Sequence, residues 1–337
     1  MIKKDLQFNI PILLLTWKRE KEVELLITKL KKINAKNIYI NSDGCELNYK
    51  NLNQIDKISK TRSKIIKNID WDCKLRLKFN NKNLGCKNSV IEAINWFFEN
   101  EESGIILEED CIPDISFFYY SADLLEKYKD HERIGCITGV NFKDAQKVSD
   151  SSYYFSKYNN FGGWATWKKE WEMFDRNMNF WPDMKSQNVW KIDKSMIDQE
   201  RNYWENVFEN SYLNLIDSWA YPWLASLWYK NKLTITPEFN LVSNRGFDGL
   251  AKHTKNRFSS ASNRKTYGLK KIIHNSSIKL NIKADRYTFK NHFLENCSSN
   301  IGIKLINEIK LLIKNFLNPK KGFLFILDKI RNLKIIK

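Results

Sequence analysis

The chain reads as an α/β fold, a mainly parallel sheet flanked by helices and followed by a basic helical extension. Three observations lead there. Apolar runs of strand length alternate with helix-spaced segments over the first 140 residues, a pattern that implies parallel strands joined by right-handed crossovers. Several strand candidates are continuous apolar runs, as expected of strands covered on both faces. With 42% apolar and 14% aromatic residues, the chain has ample material for a core, which excludes global disorder.

Taken in order, Ile10–Leu15 is the first strand. Lys21–Ile33 follows as a helix with Val23, Leu26, Ile27 and Leu30 on one face, the 3.6-residue spacing of an amphipathic helix. Asn37–Asn41 is a second strand ending at Ser42-Asp43-Gly44, and Leu75–Phe79 alternates as a third. Asn88–Phe98 is a helix that turns Val90, Ile91, Ile94 and Phe97 or Phe98 inward. Next comes GIILEEDCIP, residues 104–113, in which Ile105, Ile106 and Leu107 end a buried strand. Glu108, Glu109 and Asp110 stand at its mouth, and Cys111-Ile112-Pro113 is expected to break the pairing. Phe117–Tyr128 continues as a helix and Ile134–Val140 as a strand. Residues 155–230 hold nine tryptophans, which suit either an aromatic core or a sugar-stacking pocket. After Thr234–Pro237 the chain turns loop-like, residues 255–300 are polar and weakly patterned, and two amphipathic helices close it at 301–317 and 322–336.

Composition narrows the function. Six scattered cysteines without a CxxC pair read as free thiols of a reducing compartment. Four histidines without HExxH spacing argue against a zinc enzyme. The amino-terminal apolar stretch is too short for a signal-peptide core and lacks a small-residue cleavage site. No run approaches the 18 apolar residues of a transmembrane helix. The net charge of +17 is concentrated. Residues 1–250 carry 36 Lys+Arg against 35 Asp+Glu, whereas residues 251–337 carry 20 against 4. The basic segment should therefore meet an anionic partner.

Ligands of open α/β sheets gather beyond the carboxyl ends of the strands. Thr16-Trp17-Lys18-Arg19, Ser42-Asp43-Gly44, Asn83-Leu84-Gly85-Cys86-Lys87 and Glu108-Glu109-Asp110 all lie at that edge, an assortment that suits a nucleoside diphosphate. Asp43 can accept from a base or ribose, while Arg19, Lys87 and the amides after Gly85 can meet phosphate. Three adjacent carboxylates repel one another, so a hard divalent cation shared with phosphate would relieve them. The plainer reading of the same carboxylates is a solvated acidic turn.

The segments PILLLTWKR, IYINSDG, NLGCKNSVIEAINWFF, GIILEEDCIPDISFFYYSADLLEKY, FGGWATWKKEW, DSWAYPW and PEFNLVSNRGFDGLAKHT cover roughly residues 10–254. Their order resembles the GT-A fold glycosyltransferases, in particular bacterial transferases related to N-acetylglucosaminyltransferase I. The resemblance implies a GT-A domain over residues 1–254, with a nucleotide-binding half at 1–115 and an acceptor and donor-sugar half at 116–254. Residues 255–337 would then be the basic extension.

It further implies a donor site of Thr16, Arg19, Asp43, Gly44, Lys87, Glu108, Glu109, Gly163 and Trp164. Mn²⁺ or Mg²⁺ would sit on Asp110, with His253 as a late ligand, and UDP would be the donor nucleotide. Related sequences often carry Asp where this chain has Ala220, so the catalytic base is assigned to the nearest carboxylate, Asp217, with Glu205, Glu209 and Asp248 as alternatives. The expected activity is inverting transfer of a sugar from a nucleotide-diphospho-sugar to a glycan or lipid-linked acceptor.

Ile303, Ile306, Ile309, Ile313 and Phe316 share one side of the first closing helix, with lysines between. Such helices suit an anionic membrane surface, which places the enzyme in the cytoplasm on the inner leaflet; packing on the domain is the alternative. Nucleic-acid binding is disfavoured, because the tail is aliphatic and the aromatics sit in the charge-balanced body. An inactive GT-A domain that binds sugar or a partner remains the competing reading, kept open by Ala220. A nucleotidyltransferase would need a glycine-rich loop near the first strand, and there is none.

Overall fold

In the computed structural model, residues 7–46, 52–143, 146–187, 192–247 and 261–294 are described. The first strand, β1 (Ile12–Thr16), starts after Pro11 and is buried along its whole length. It runs one residue past the expected end because Thr16 pairs with Ser42. Helix α1 (Glu20–Lys32) buries Val23, Leu26, Ile27 and Leu30, as the spacing predicts. Its first turn carries Glu20 and Glu22 and its last Lys29, Lys31 and Lys32, which complements the helix dipole at both ends.

Strand β2 (Asn37–Ser42) is followed by α2 (Leu52–Asn68), a helix that no clear apolar period announces in the sequence. Only Ile58, Thr61 and Ile65 of α2 are buried, whereas Leu52, Ile55 and Ile66 face solvent, so its apolar period is blurred. Strand β3 (Lys74–Phe79) lies at the sheet edge, half covered. Helix α3 (Cys86–Phe98) opens at Gly85, whose φ of 78° is a left-handed value that favours glycine. Strand β4 (Ser103–Glu108) ends on the acidic triplet.

Cys111–Pro113 breaks the pairing with the main sheet, as expected, but is not irregular. It forms a short strand, β5, antiparallel to a later one, with Ile112 opposite Ser243 and Cys111 opposite Asn244. Helix α4 (Ile115–Tyr128) is capped by Asp114, whose carboxylate accepts from the Ser116 amide. There follow β6 (Ile134–Thr138), β7 (Tyr153–Ser156), β8 (Trp164–Trp167), α5 (Lys168–Trp171), α6 (Trp181–Ser186), α7 (Asp198–Tyr212), α8 (Ala220–Tyr229) and β9 (Leu233–Pro237). The segment expected to be loop-like after Pro237 contains β10 (Val242–Asn244), the partner of β5, and α9 (Ile282–Thr288) lies within the weakly patterned stretch.

Eight strands form one sheet in the order β3-β2-β1-β4-β8-β6-β9-β7. β1 to β4 run parallel to one another, β8 opposes β4 and β6, β9 follows β6, and β7 opposes β9. Six strands thus share one direction and two oppose it, a mainly parallel, Rossmann-like α/β sheet flanked by helices. The carboxyl ends of β1, β2, β3 and β4 lie side by side along one edge.

One face of the sheet packs on α3 and α8 through Leu13, Leu15, Tyr39, Ile106, Cys136 and Trp164, while α4 packs on β4, β6 and β8. Of the nine tryptophans between 164 and 228, the eight described are all buried. Trp164 stacks on Trp219 with ring centres 5.6 Å apart, and Trp171 and Trp223 close the same cluster. The aromatic-rich stretch is therefore core, where each ring brings a large apolar area out of water.

The chain divides into two compact units, Met1–Phe289 and Lys290–Lys337. The first unit continues beyond residue 254. The Ile273 amide donates to Ser152 Oγ, Asn275 donates to the Tyr153 carbonyl, and Asp285 accepts from Ser156 Oγ and the Lys157 amide. The closing helices expected at 301–317 and 322–336 fall outside the described residues. No helix among the described residues is long and apolar enough to cross a membrane.

Candidate functional site

The carboxyl edge of the sheet brings together most of the expected residues, and each is placed by a short-range cause. Thr16 ends β1 and donates its hydroxyl to the Asn41 carbonyl at 2.9 Å, tying β1 to β2. Asp43 is buried at the end of β2. Its Oδ1 accepts from the Gly44 amide (2.9 Å), Asn80 Nδ2 (3.2 Å) and the Leu84 amide (3.1 Å). It therefore pins the 80–85 loop that leads into α3. Gly44 is required by close approach, since a Cβ there would lie 2.5–2.7 Å from the Lys82 backbone. Asn83 Nδ2 and Trp17 Nε1 both donate to the Gly44 carbonyl, at 3.1 and 3.0 Å. Arg62, which the sequence did not single out, organises the same corner. Its guanidinium donates to the carbonyls of Ser42, Asp43 and Asn80 and to Ser42 Oγ, at 2.8–3.1 Å.

The three carboxylates behave differently from one another. Glu109 turns inward, and the amides of Trp17, Lys18 and Arg19 donate to it at 2.6, 3.4 and 3.3 Å, with Arg19 Nε 3.8 Å away. That carboxylate closes the β1–α1 turn, where hydrogen bonds to a charged group are worth roughly 1.5–3 kcal/mol each. Of the residues expected at the donor site, Glu109 is thus engaged by the chain itself. Burial pushes its carboxyl up to about 7 despite the amides and Arg19, and Asp110 adds to the rise. Glu108, at the end of β4, is pushed up to about 8 by burial first and then by the charges of Asp110 and Glu109.

Asp110 is half-buried and faces the turn after β10. Cys111 Sγ donates to its Oδ1 at 3.3 Å, and the Arg245 amide donates to its carbonyl at 2.8 Å. A Cβ at Gly246 would overlap Asp110 Oδ2, so that glycine leaves room for the carboxylate. Gly246 is held by its amide on Asn244 Oδ1 (2.7 Å) and by Arg19 Nη2 on its carbonyl (3.3 Å). Arg19 and Asp110, 91 residues apart in the chain, thus meet at one turn. The sequence contained this signal in NRGFDG, though neither Arg245 nor Gly246 was singled out.

Two expected residues are core instead. Trp164 is 1% exposed and packs among Phe161, Trp171, Trp219 and Trp223, which removes it from any donor contact. Gly163 has φ 100°, and a Cβ on it would press on Leu107 and Val242; its carbonyl accepts from the Gly139 amide at 2.8 Å. Its glycine is explained by packing.

Asp217 lies exposed in the turn before α8 and does not cap that helix, since the Ala220 amide donates to Ser218 Oγ. Asp217 acts electrostatically on Lys87 in the first turn of α3, whose Nζ donates to Asn214 at 3.2 Å. Burial, followed by Arg176, lowers the Lys87 ammonium. Of the alternatives, Glu209 accepts from Trp181 Nε1 and Lys185, and Glu205 is partly exposed on α7. Asp248 and His253 lie outside the described residues.

Among the described residues no group of three His, Cys, Asp or Glu side chains is arranged to hold a metal by itself. The donor set does fit a hard cation held in part by other oxygens. One half-buried carboxylate, Asp110, packs against Gly246 beside two further carboxylates, and Mg²⁺-type sites use one or two carboxylates plus substrate phosphates.

No protein-family model matches the chain, and no curated protein matches it. Solved structures with a similar fold include a cytidylyltransferase from Leptospira borgpetersenii serovar Hardjo-bovis, with 14% identity over 54% of this chain and 72% of that one, at a TM-score of 0.32. An apo UDP-glucose pyrophosphorylase overlaps 70% of this chain and 93% of its own, with 9% identity and a TM-score of 0.34. A 4-diphosphocytidyl-2C-methyl-D-erythritol synthase from Anaerococcus prevotii gives 12%, 59%, 82% and 0.29 in the same order. At TM-scores near 0.3 these overlaps say nothing about what this chain does.

Proposed function

We propose that the protein is a metal-dependent, inverting glycosyltransferase that moves a sugar from a UDP-linked donor to a glycan or lipid-linked acceptor. The observation that carries this reading is the placement of Asp110. It stands at the carboxyl edge of the sheet, against Gly246, with Arg19 anchored on the same glycine and Asp43 fixing the neighbouring loop.

On this reading the Asp43–Gly44 corner and the 80–85 loop form the nucleoside side of the site, and Arg19 and Lys87 supply positive charge toward the diphosphate. Asp110 would hold Mn²⁺ or Mg²⁺ together with phosphate oxygens, and when bound the ion supplies Lewis-acid stabilisation of the departing diphosphate. Asp217, solvent-facing, takes the proton from the acceptor hydroxyl as the sugar–phosphate bond breaks.

The nucleotidyltransferase reading is weaker for a physical reason. The β1–α1 connection is only Trp17-Lys18-Arg19, and Glu109 already occupies its amides. They are not free to cradle a triphosphate. The basic residues 301–337 we assign to an anionic membrane surface, where a lipid-linked acceptor resides.

Calorimetry of UDP-sugars with Mn²⁺ tests the reading. Metal-dependent binding is expected for the wild type and is lost in Asp110→Ala. Absence of binding to every nucleotide sugar with either metal overturns it.

A further inference from the structure

An open, solvent-facing hollow of about 550 Å³ lies beside the β5–β10 ribbon, with Arg245 and Lys265 exposed on its rim, and is not used by the site above. Its position follows from strand alternation. Asn244 and Gly246 turn toward Asp110, whereas Ser243 and Arg245 line the cavity, and Ile112 opposite Ser243 lines it too. Successive residues of a strand face opposite sides. The acidic motif and the cavity therefore occupy the two faces of one ribbon.

The outer wall is held by the backbone. The Asn263 amide donates to the Asn244 carbonyl and the Tyr267 amide to the Asn240 carbonyl, both at 2.8 Å, and Asn240 Nδ2 donates to the Lys265 carbonyl at 3.1 Å. Residues 263–267 are thus laid along 240–244, and Lys265 and Arg264 project from a fixed segment. α1 contributes Lys29 from the other side.

The lining carries four cationic side chains, Lys29, Arg245, Arg264 and Lys265, against one carboxylate, Asp114. That carboxylate is committed, since its Oδ1 accepts from the Ser116 amide at 2.8 Å and from Ser116 Oγ at 2.6 Å. Lys29, Arg245 and Lys265 have no ion-pair partner among the described residues. Lys29, Arg245 and Lys265 thus outnumber the one carboxylate of the lining, and an anion placed between them relieves their mutual repulsion.

We propose that this cavity is an anion-binding site that takes a phosphate or diphosphate group. Arg245 offers the planar fork that matches phosphate oxygens, and Lys29 and Lys265 offer point charges. Ser243 and Thr266, also in the lining, carry hydroxyls for the remaining oxygens. The volume lies within the range of small-ligand pockets, roughly 300–1,000 Å³, large enough for a diphosphate with its neighbouring group. The assignment stands whether or not the protein transfers sugar.

The test uses the full chain in metal-free buffer, with inorganic pyrophosphate as probe in calorimetry and vesicles containing phosphatidic acid as a second arm. Asp110→Ala provides a background in which the nucleotide side is disabled. Pyrophosphate is expected to bind Asp110→Ala as it binds the wild type, and at least tenfold more weakly when Arg245→Gln and Lys265→Gln are combined. If pyrophosphate does not bind but the double variant loses vesicle binding, the phosphate is a lipid headgroup and the site stands. If the double variant, folded by thermal melt, binds both probes as the wild type does, the proposal is overturned.

Discussion

At the scale of single residues, the decisive contrast is between neighbours in one triplet. Glu109 accepts from the amides of residues 17–19, while the Asp110 carboxylate, one position on, packs against Gly246 and accepts from Cys111 Sγ. A one-atom change at Gly246 therefore tests the site more sharply than its distance from the sheet suggests. In Gly246→Ala the methyl overlaps Asp110 Oδ2, and the carboxylate must turn away. Metal-dependent donor binding is expected to fall at least tenfold, about 1.4 kcal/mol, with a nearly unchanged melting temperature. Calorimetry and a thermal melt check both halves of that statement. Asp43, Arg19 and Asp110 were legible in the sequence as a convergent set because each follows an apolar strand. The inward turn of Glu109 was not, since it depends on contact with residues some 90 positions earlier. Arg62 was hidden among the lysines of a helix whose apolar period is blurred.

At the scale of elements, the anchoring of α9 to the sheet edge has an unusual charge balance. Lys157 lies 2.6 Å from Asp193 and 2.9 Å from Glu200, and its amide donates to Asp285 at 3.0 Å, all deeply buried. Tyr158 donates to Glu200 in the same group. One cation thus serves three carboxylates, drawn from the 193 loop, α7 and α9. Lys157→Met would strand all three and is expected to cost about 3–5 kcal/mol, measurable as a lowered urea midpoint.

Burial raises the Asp285 carboxyl to about 6, with Glu200 adding to the rise against Lys157 and its hydrogen bonds. The folded state then holds this proton more tightly than the unfolded chain, whose Asp titrates near ~3.9. The stability due to this group is full below about pH 4 and falls as pH rises to about 6. Asp285→Asn lacks that slope, so the wild-type melting temperature should drop relative to the variant between those values and run parallel above them. A parallel course throughout would remove Asp285 as the cause.

The same scale explains which elements the sequence revealed. β1, α1, β2, α3 and β4 follow local periods of strand and helix, and their buried faces are those the periods select. From residue 153 onward the chain is aromatic on every side, so no period separates α5 to α8 from β7 to β9. The reversal of β8 between β4 and β6 is a tertiary pairing that no local pattern encodes.

At the scale of the whole molecule, the fold class was readable because alternation over 140 residues leaves few topologies for a parallel sheet. The charge split was equally plain. The first compact unit ends at Phe289, and the segment after it carries 10 Lys+Arg against 3 Asp+Glu. Removing residues 295–337 is expected to leave donor binding and the melting temperature of the first unit intact, while binding to anionic vesicles falls. Vesicle co-sedimentation of the shortened and full chains at two salt concentrations decides this, and unchanged binding would reject the membrane role.

The tryptophan cluster has an optical consequence. The chain holds 12 tryptophans, and the eight described between 164 and 228 are shielded from water. Their emission is expected to be blue-shifted and poorly reached by iodide, and to change as the core opens. Trp17 is the indole at the site, with its ring under the Lys18 ammonium at 3.7 Å and its N–H on the Gly44 carbonyl. Its signal is a small part of a large, ligand-insensitive background. Intrinsic fluorescence of this protein is thus a gauge of unfolding, and a donor titration needs a labelled nucleotide or a heat signal instead.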